Sequence, residues 1–266
     1  GGKIKAKFFI LATGGKSRPD TGSTGDGFLW LKELDHTIIK SSAALVPIAI
    51  KDNWVKKLSG LSLPDARIKV FQFGKKQETR TGKILFTHFG LSGPVILNIS
   101  KKIGELLRYG DVFLSLDIFP NFNHGKLDLN IQKIFSKQSN RKLKNSLGSL
   151  MSLALAPIAI KMSGINPETF CHSVNREERI RLGEIIKNMP MKVDKLLGVE
   201  KAIITSGGVA LEEVDFKTMA SRLFPNLYLV GDILNIDRPS GGYSLQLCWT
   251  TGYVAGTAAS IALKKK

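Results

Sequence analysis

The chain has 266 residues, 43% hydrophobic and 23% charged, enough apolar material for a real core in one large domain or two to three smaller ones. Its formal net charge of +17 invites nucleic acid or an anionic membrane as partner. The lysines are scattered, however, and there is no zinc-finger spacing, aromatic RNA-binding signature or basic-zipper pattern, so no specific nucleic-acid partner is expected.

Taken in chain order, KAKFFILATGG (5–15) reads as a strand of the buried kind, a continuous apolar run closed by glycines. STGDGFLWLKEL (23–34) reads as a helix capped by Ser23 or Thr24. Strand, glycine loop and helix together are the building block of a nucleotide-binding α/β sheet. From about residue 45 the pattern changes to short strands: ALVPIAI, ARIKVFQF, ETRTGKILFTHF and DVFLSLDIF, separated by Gly, Pro and Asp. A helix capped by Ser92 lies among them, over 92–106. Residues 125–189 carry helical spacing in LDLNIQKIFSK, in the stretch 147–162 and in NREERIRLGEIIKN. MKVDKLL returns to strand, and KAIITSGGVALEEV (201–214) reads as a hairpin or bent strand pair turning at Gly207-Gly208.

At LYLVGD the opening grammar resumes. A parallel strand ends in Gly231 and delivers Asp232, a carboxylate suited to accept from sugar or polyol hydroxyls at a C-terminal strand end. Gly241-Gly242 then open a helix over 243–260. Its first N–H groups have no internal partner and carry the positive end of the helix dipole. With no side chains in the way they suit the negative charge that develops at N1 and the C2 carbonyl of a reduced flavin. Gly252, Gly256, Ala255, Ala258 and Ala259 would let the helix pack close to a sheet. The two ends of the chain are therefore expected to share one α/β domain, with the middle inserted.

His36, His88, His124 and His172 show no metal-ligand spacing, and Cys171 and Cys248 form no CxxC, so no metal is expected. The thiols read as free in a reducing cytoplasm, with Cys248 packed inside the helix. The most apolar stretch, 147–162, is broken by Pro157 and too short to span a bilayer, so a cytoplasmic protein without a membrane partner is expected. The chain starts Gly-Gly rather than Met, as a processed product or fragment would.

Several motifs in order resemble one family: ILATGGKSRPDTGSTGDGF (10–28), ALVPI (44–48), GKILFTHFGLSGPVILNIS (82–100), residues 204–246, and WTTGYVAGTAAS (249–260). The chain is similar in these to the bacterial FAD-dependent oxidoreductases grouped with aminoacetone oxidase and the flavin reductases of dehydro-bile-acids. The resemblance implies an α/β, two-dinucleotide-type FAD-binding domain formed by both chain ends (1–44 and 215–266). It also implies an inserted, mainly β domain (45–124 and 190–214) and a helical subdomain (125–189). It implies that Thr13, Gly14 and Gly15 lie near FAD, that Gly231 and Asp232 meet its ribityl or pyrophosphate region, and that Gly241, Gly242, Tyr243 and Ser244 sit by the flavin ring. Hydride would pass between a small organic substrate and the flavin, with NAD(P)H a candidate electron donor.

The chain departs from the family at Ser244, where Asn is usual, at Asn235, often Asp, and at Arg238, often Gly. The family's opening G-x-G-x-x-G turn has no counterpart here, so the chain resembles the last two-thirds of a member, short of roughly 100 residues at the front. A cofactor-free fragment and a basic anion or nucleic-acid binder stand as alternatives. In a flavoenzyme few catalytic side chains are needed. His88 and Tyr243 are the candidates, each with a structural reading beside it: a carbonyl-bonded histidine and a packing aromatic.

Overall fold

The structure, a computed structural model, describes residues 2–17, 19–198 and 204–264. In chain order the elements are β1 (Phe9–Leu11), α1 (Asp26–Glu33), β2 (Ile38–Ala44), β3 (Ile48–Ile50), α2 (Asn53–Lys57), β4 (Ser62–Gln72) and β5 (Lys75–Thr87). There follow β6 (Gly90–Ser92), α3 (Pro94–Leu107), β7 (Phe113–Asp117), α4 (His124–Lys137), α5 (Ala156–Ser163), α6 (Arg176–Lys187) and β8 (Met189–Leu196). The chain ends with β9 (Ile204–Val209), β10 (Val214–Asp215), β11 (Ala220–Ser221), β12 (Leu227–Leu229) and α7 (Tyr243–Lys264). They fall into two units, Gly1–Pro47 with Leu197–Lys266, and Ile48–Leu196.

In the second unit the alternation read from ARIKVFQF is the alternation of β4. Ala66, Ile68 and Val70 are buried, while Arg67, Lys69 and Phe71 between them are partly exposed, because successive side chains leave opposite faces of a strand. Six strands close into a barrel in the order β3-β6-β5-β4-β7-β8. Closure needs a glycine: at Gly90, φ is +155 and a Cβ would stand 2.3 Å from the Ile48 carbonyl oxygen. The core gathers Ile68, Ile84, Phe86 and Leu114 with Ile96, Ile99 and Ile103 of α3. Ser92 belongs to β6, and the residue that caps α3 is Gly93 at φ +93, followed by Pro94. The expected Ser92 cap is thus replaced by the glycine-then-proline form of a helix start.

The helical stretch of this unit is shorter than its periodicity suggests. Within 147–162 only Ala156 onward is α-helix, preceded by a single 3-10 turn at Leu147–Ser149. Pro157 explains the late start, since it lacks an N–H and fits only the first helical turn. α6 begins in a capping box, Asn175 accepting from the Glu178 N–H at 2.9 Å and Glu178 accepting from the Asn175 N–H at 3.0 Å. At its end Lys187 is buried. It pairs with Asp117 at 2.6 Å and donates to the carbonyls of Phe119 and Phe122, so its three protons are all used.

In the first unit β1 pairs with β12 in parallel, Phe9 opposite Leu227 and Leu11 opposite Leu229, and β11 and β10 extend the sheet antiparallel. β1 is not the fully covered strand its sequence predicts: Phe9 and Ile10 are 44% and 46% exposed. Among the described residues it is an edge strand with a partner on one side only. β2 and β9 form a separate antiparallel pair. Of the expected hairpin over 201–214, residues 201–203 lie outside the described residues. Gly207 and Gly208, at φ +111 and +133, run inside β9 rather than turning it. Gly208 is there because Ile233–Asn235 passes so close that a Cβ would meet the Ile233 oxygen at 2.5 Å. The core of this unit is Phe28, Leu31, Val209, Leu229, Ile233 and Leu234 with Ala255.

Candidate functional site

Because β1 and β12 are parallel, their C-terminal ends point the same way, and Val230 continues the pairing by donating to the Leu11 carbonyl at 3.2 Å. The segments just beyond carry Thr13-Gly14-Gly15 and Gly231-Asp232, so the two strand-end motifs are brought together where open α/β sheets bind ligands. α1 closes against both. At Gly27 a Cβ would lie 2.1 Å from Thr13 Oγ1 and 2.6 Å from Ile233 Cδ1, so no larger residue fits. α1 is capped by Gly25 in a left-handed conformation, with no side-chain cap bond. Thr24, expected as a cap, instead donates to Asp26 Oδ2 at 2.8 Å. Gly14 takes φ +72 and Gly15 is buried. Thr13 Oγ1 is buried without a hydrogen-bond partner.

Gly231, at φ +72, donates its N–H to Thr251 Oγ1 at 3.0 Å, and Thr251 donates to the Leu247 carbonyl at 2.7 Å. The strand end is thereby pinned to the third turn of α7. Asp232 pairs through Oδ1 with Arg238 Nη2, while its Oδ2 takes no hydrogen bond among the described residues. Burial pushes the Asp232 carboxyl above its ordinary value, and the Arg238 charge and the Cys248 thiol oppose that. Arg238 itself is buried. Its Nε donates to Ser244 Oγ at 3.0 Å and its Nη1 to the Ile236 carbonyl at 2.8 Å. One guanidinium therefore holds residues six positions to either side, and closes the loop from Asp232 to Ser244.

Gly241 and Gly242 stand at φ +117 and +92, exposed, with nothing within 4 Å of the missing Cβ of Gly242. The N-terminus of α7 thus opens on free space. Tyr243, Leu245, Trp249 and Tyr253 are all exposed. α7 buries only Thr251, Ala255 and Ala259, so the close packing expected at Gly252 and Gly256 is absent, with nothing near either missing Cβ. Cys248, expected inside, is exposed and lies 3.9 Å from Asp232 Oδ1. Desolvation, then the Asp232 charge, pushes its thiol up. Two apolar grooves among the described residues of this unit, about 500 and 430 Å³, line the sheet at Tyr228, Tyr253 and Ile261 and at Phe9, Trp30 and Leu34. Neither is lined by Asp232 or the glycine pair.

His88 belongs to the second unit. It sits exposed in the turn from β5 to β6, with its ring edge-on to Phe89 at 4.9 Å. A constellation that sequence reading missed is His36 with Glu213 and Ser221. His36 Nδ1 lies 2.8 Å from Glu213 Oε2 and Nε2 lies 3.0 Å from Ser221 Oγ. The spacing is that of a hydrolase triad, but the serine is 2% exposed and accepts from the N–H groups of Leu223 and Phe224. With both lone pairs taken it can only donate, to Nε2. His36 Nδ1, on the other side of the ring, faces Glu213. The arrangement ties β11 to the start of β2 and has no free nucleophile. The three residues are 177 and 185 positions apart in pairs, beyond any local pattern. Among the described residues no three His, Cys, Asp or Glu side chains are grouped to hold a metal, and no helix is long and apolar enough to cross a membrane.

The family described as HI0933-like protein barrel and H2TH domain matches residues 42–204, which takes in the barrel and its helices. The chain is 28% identical over 264 residues to a 3-dehydro-bile acid delta(4,6)-reductase of Clostridium scindens, covering 98% of this chain and 64% of that one. It is 27% identical over 258 residues to a ribosomal RNA dihydrouridine synthase of Haemophilus influenzae, covering 96% and 61%. A protein of the same description from Escherichia coli is 25% identical over 249 residues, covering 92% and 58%. The chain thus spans between 58% and 64% of the length of these curated relatives.

Proposed function

The chain belongs to the HI0933-like family, and from that membership we propose that it is part of a flavin-dependent reductase of a carbon–carbon double bond conjugated to a carbonyl. The observation that carries this is the convergence of Thr13, Asp232 and the Gly241-Gly242 helix mouth in one unit. The residues present fit FAD. Asp232 Oδ2 is a carboxylate oxygen without a partner, suited to ribityl or ribose hydroxyls. Thr13 Oγ1 is a buried hydroxyl oxygen without one. The uncovered first turn of α7 is a donor for the anionic face of a reduced isoalloxazine.

FAD would supply hydride transfer. The chain's own part is to bind and orient: Asp232 takes hydroxyls, Arg238 opposes the rise that burial gives that carboxyl and holds the loop, and Ser244 accepts from Arg238 at the helix mouth. Two relatives with different names support the same bond change. The delta(4,6) double bonds of a 3-oxo steroid and the ring double bond lost when uridine becomes dihydrouridine are all conjugated to a carbonyl. Reduction of such a bond would place hydride on the carbon far from the carbonyl and a proton on the near one.

The test is retention of a flavin absorbance band after incubation with excess FAD and gel filtration. Asp232→Ala should weaken FAD binding about tenfold or more, the worth of one charge-assisted hydrogen bond. Turnover with NAD(P)H as donor is then followed on a steroid enone and on uridine in RNA. A colourless protein, folded by circular dichroism, would sink the proposal in favour of a cofactor-free role. That reading has its own support in the occupation of Asp232 Oδ1 by Arg238.

A further inference from the structure

The barrel carries a surface that the oxidoreductase reading leaves unused. β4 and β5 form a long hairpin in which Gln72 faces Lys75, leaving Phe73-Gly74 as a two-residue turn. Both turn residues have positive φ, +49 and +72, as a twist-matched hairpin requires. Phenylalanine is a costly residue for that conformation, yet here it stands 75% exposed. It is also held in place. Its ring lies against Gly110, where a Cβ would be 3.3 Å from Phe73 Cζ. Gln72, buried beneath it, donates to the carbonyls of Leu106 at 2.7 Å and Gly110 at 3.2 Å.

Those two bonds bring the turn after α3 beside the hairpin tip, and with it Arg108 and Tyr109, the latter also 75% exposed. Phe113, partly exposed on β7, pairs with Phe71, and Lys192 Nζ lies 5.5 Å from its ring. Asp111 is paired with Lys192 and Glu78 with Arg80. Lys75, Lys76 and Arg108 have no acidic partner among the described residues. One anchored ring, Phe73, and a second exposed ring, Tyr109, on the turn that packs against it, with unneutralised cations beside them, are the parts of a stacking platform for unpaired bases. A protein-docking face would instead show a contiguous apolar patch.

We propose that this end of the barrel is a contact surface for single-stranded RNA, with bases stacking on Phe73 and Tyr109 and phosphates neutralised by Lys75, Lys76 and Arg108. It deepens the reductase reading by naming RNA as carrier of the double bond, and rests on that reading for the choice of RNA. Its test needs no turnover.

The experiment is fluorescence anisotropy of a labelled oligouridylate, single-stranded and as a duplex with oligoadenylate, titrated with the full chain over a salt series. Single strand should bind in preference, with log Kd linear in log salt concentration. Phe73→Ala and Tyr109→Ala should each weaken binding about 5- to 100-fold. Phe73→Leu keeps apolar bulk at the tip and should also weaken it, with the circular dichroism spectrum unchanged. Lys75→Glu with Lys76→Glu should flatten the salt slope. Lys56→Glu with Lys57→Glu changes charge equally on α2, at the opposite end of an eleven-residue strand, roughly 35 Å away, and should do so less. Equal effects of the two charge reversals, wild-type affinity in both alanine variants, or preference for anionic phosphatidylserine vesicles over RNA would each overturn the proposal. RNA binding at the tip without flavin retention would sink the reductase reading and leave this surface standing. Flavin retention without RNA binding would do the reverse.

Discussion

Arg238 shows how one substitution against a family pattern is absorbed. Its three nitrogen groups reach Asp232, Ile236 and Ser244, so the cation that stands where the family often has Gly works as the fastener of the loop. Arg238→Ala leaves a largely buried carboxylate without its counter-charge, and should cost about 3 kcal/mol, read as a drop in Tm. Asp232→Asn removes the charge that helps to hold the Cys248 thiol up. Cys248 should then react faster with a disulfide reagent, while buried Cys171 stays silent until unfolding.

Glu213 supplies a pH signature. Burial pushes its carboxyl up, but bonds from Thr37 and His36 outweigh that, and the net shift is below the ordinary 4.5. A lowered carboxyl adds stability that is complete above the unfolded pKa and is lost as pH falls through the folded one. Glu213→Gln should therefore lower the urea midpoint at neutral pH and flatten its fall below about pH 4.5.

At the scale of elements, β4, β5, β7 and β8 were legible because apolar residues alternate along them, and β4 and β5 are long enough for the period to declare itself. The helices at 124–137 and 176–187 were legible for the same reason. β6 was not, because Ser92 reads as the cap of the helix that follows. The stretch 147–162 misled, because apolar spacing does not count the N–H that Pro157 lacks. Gly207-Gly208 misled more deeply: a glycine pair marks either a turn or a close approach, and only the chain passing at Ile233–Asn235 decides which. Gly208→Ala forces a side chain to φ +133 and into that backbone. It should cost about 3 kcal/mol or more, read as a lowered denaturant midpoint at unchanged m-value.

Across the molecule, ligand linkage separates the two units. If FAD binds through Thr13, Asp232 and the mouth of α7, an excess of roughly 100 times Kd should stabilise by about 2.7 kcal/mol. The amides protected from hydrogen exchange should cluster at residues 13–15 and 231–244, with the barrel strands unchanged. Protection spread over β4 and β5 instead would place the ligand elsewhere.

The sequence by itself determined the elements whose cause is local: alternating strands, amphipathic helices, and the Gly-Asp and Gly-Gly punctuation around Asp232 and α7. It also determined the family, because motifs survive in order along the chain. Tertiary structure alone decided that β1 is an edge strand among the described residues and that six strands close into a barrel. It alone decided that His36, Glu213 and Ser221 meet, and that Gln72 anchors an exposed Phe73 beside Tyr109. Each of these depends on chain segments far apart in sequence, whose proximity no local spacing encodes.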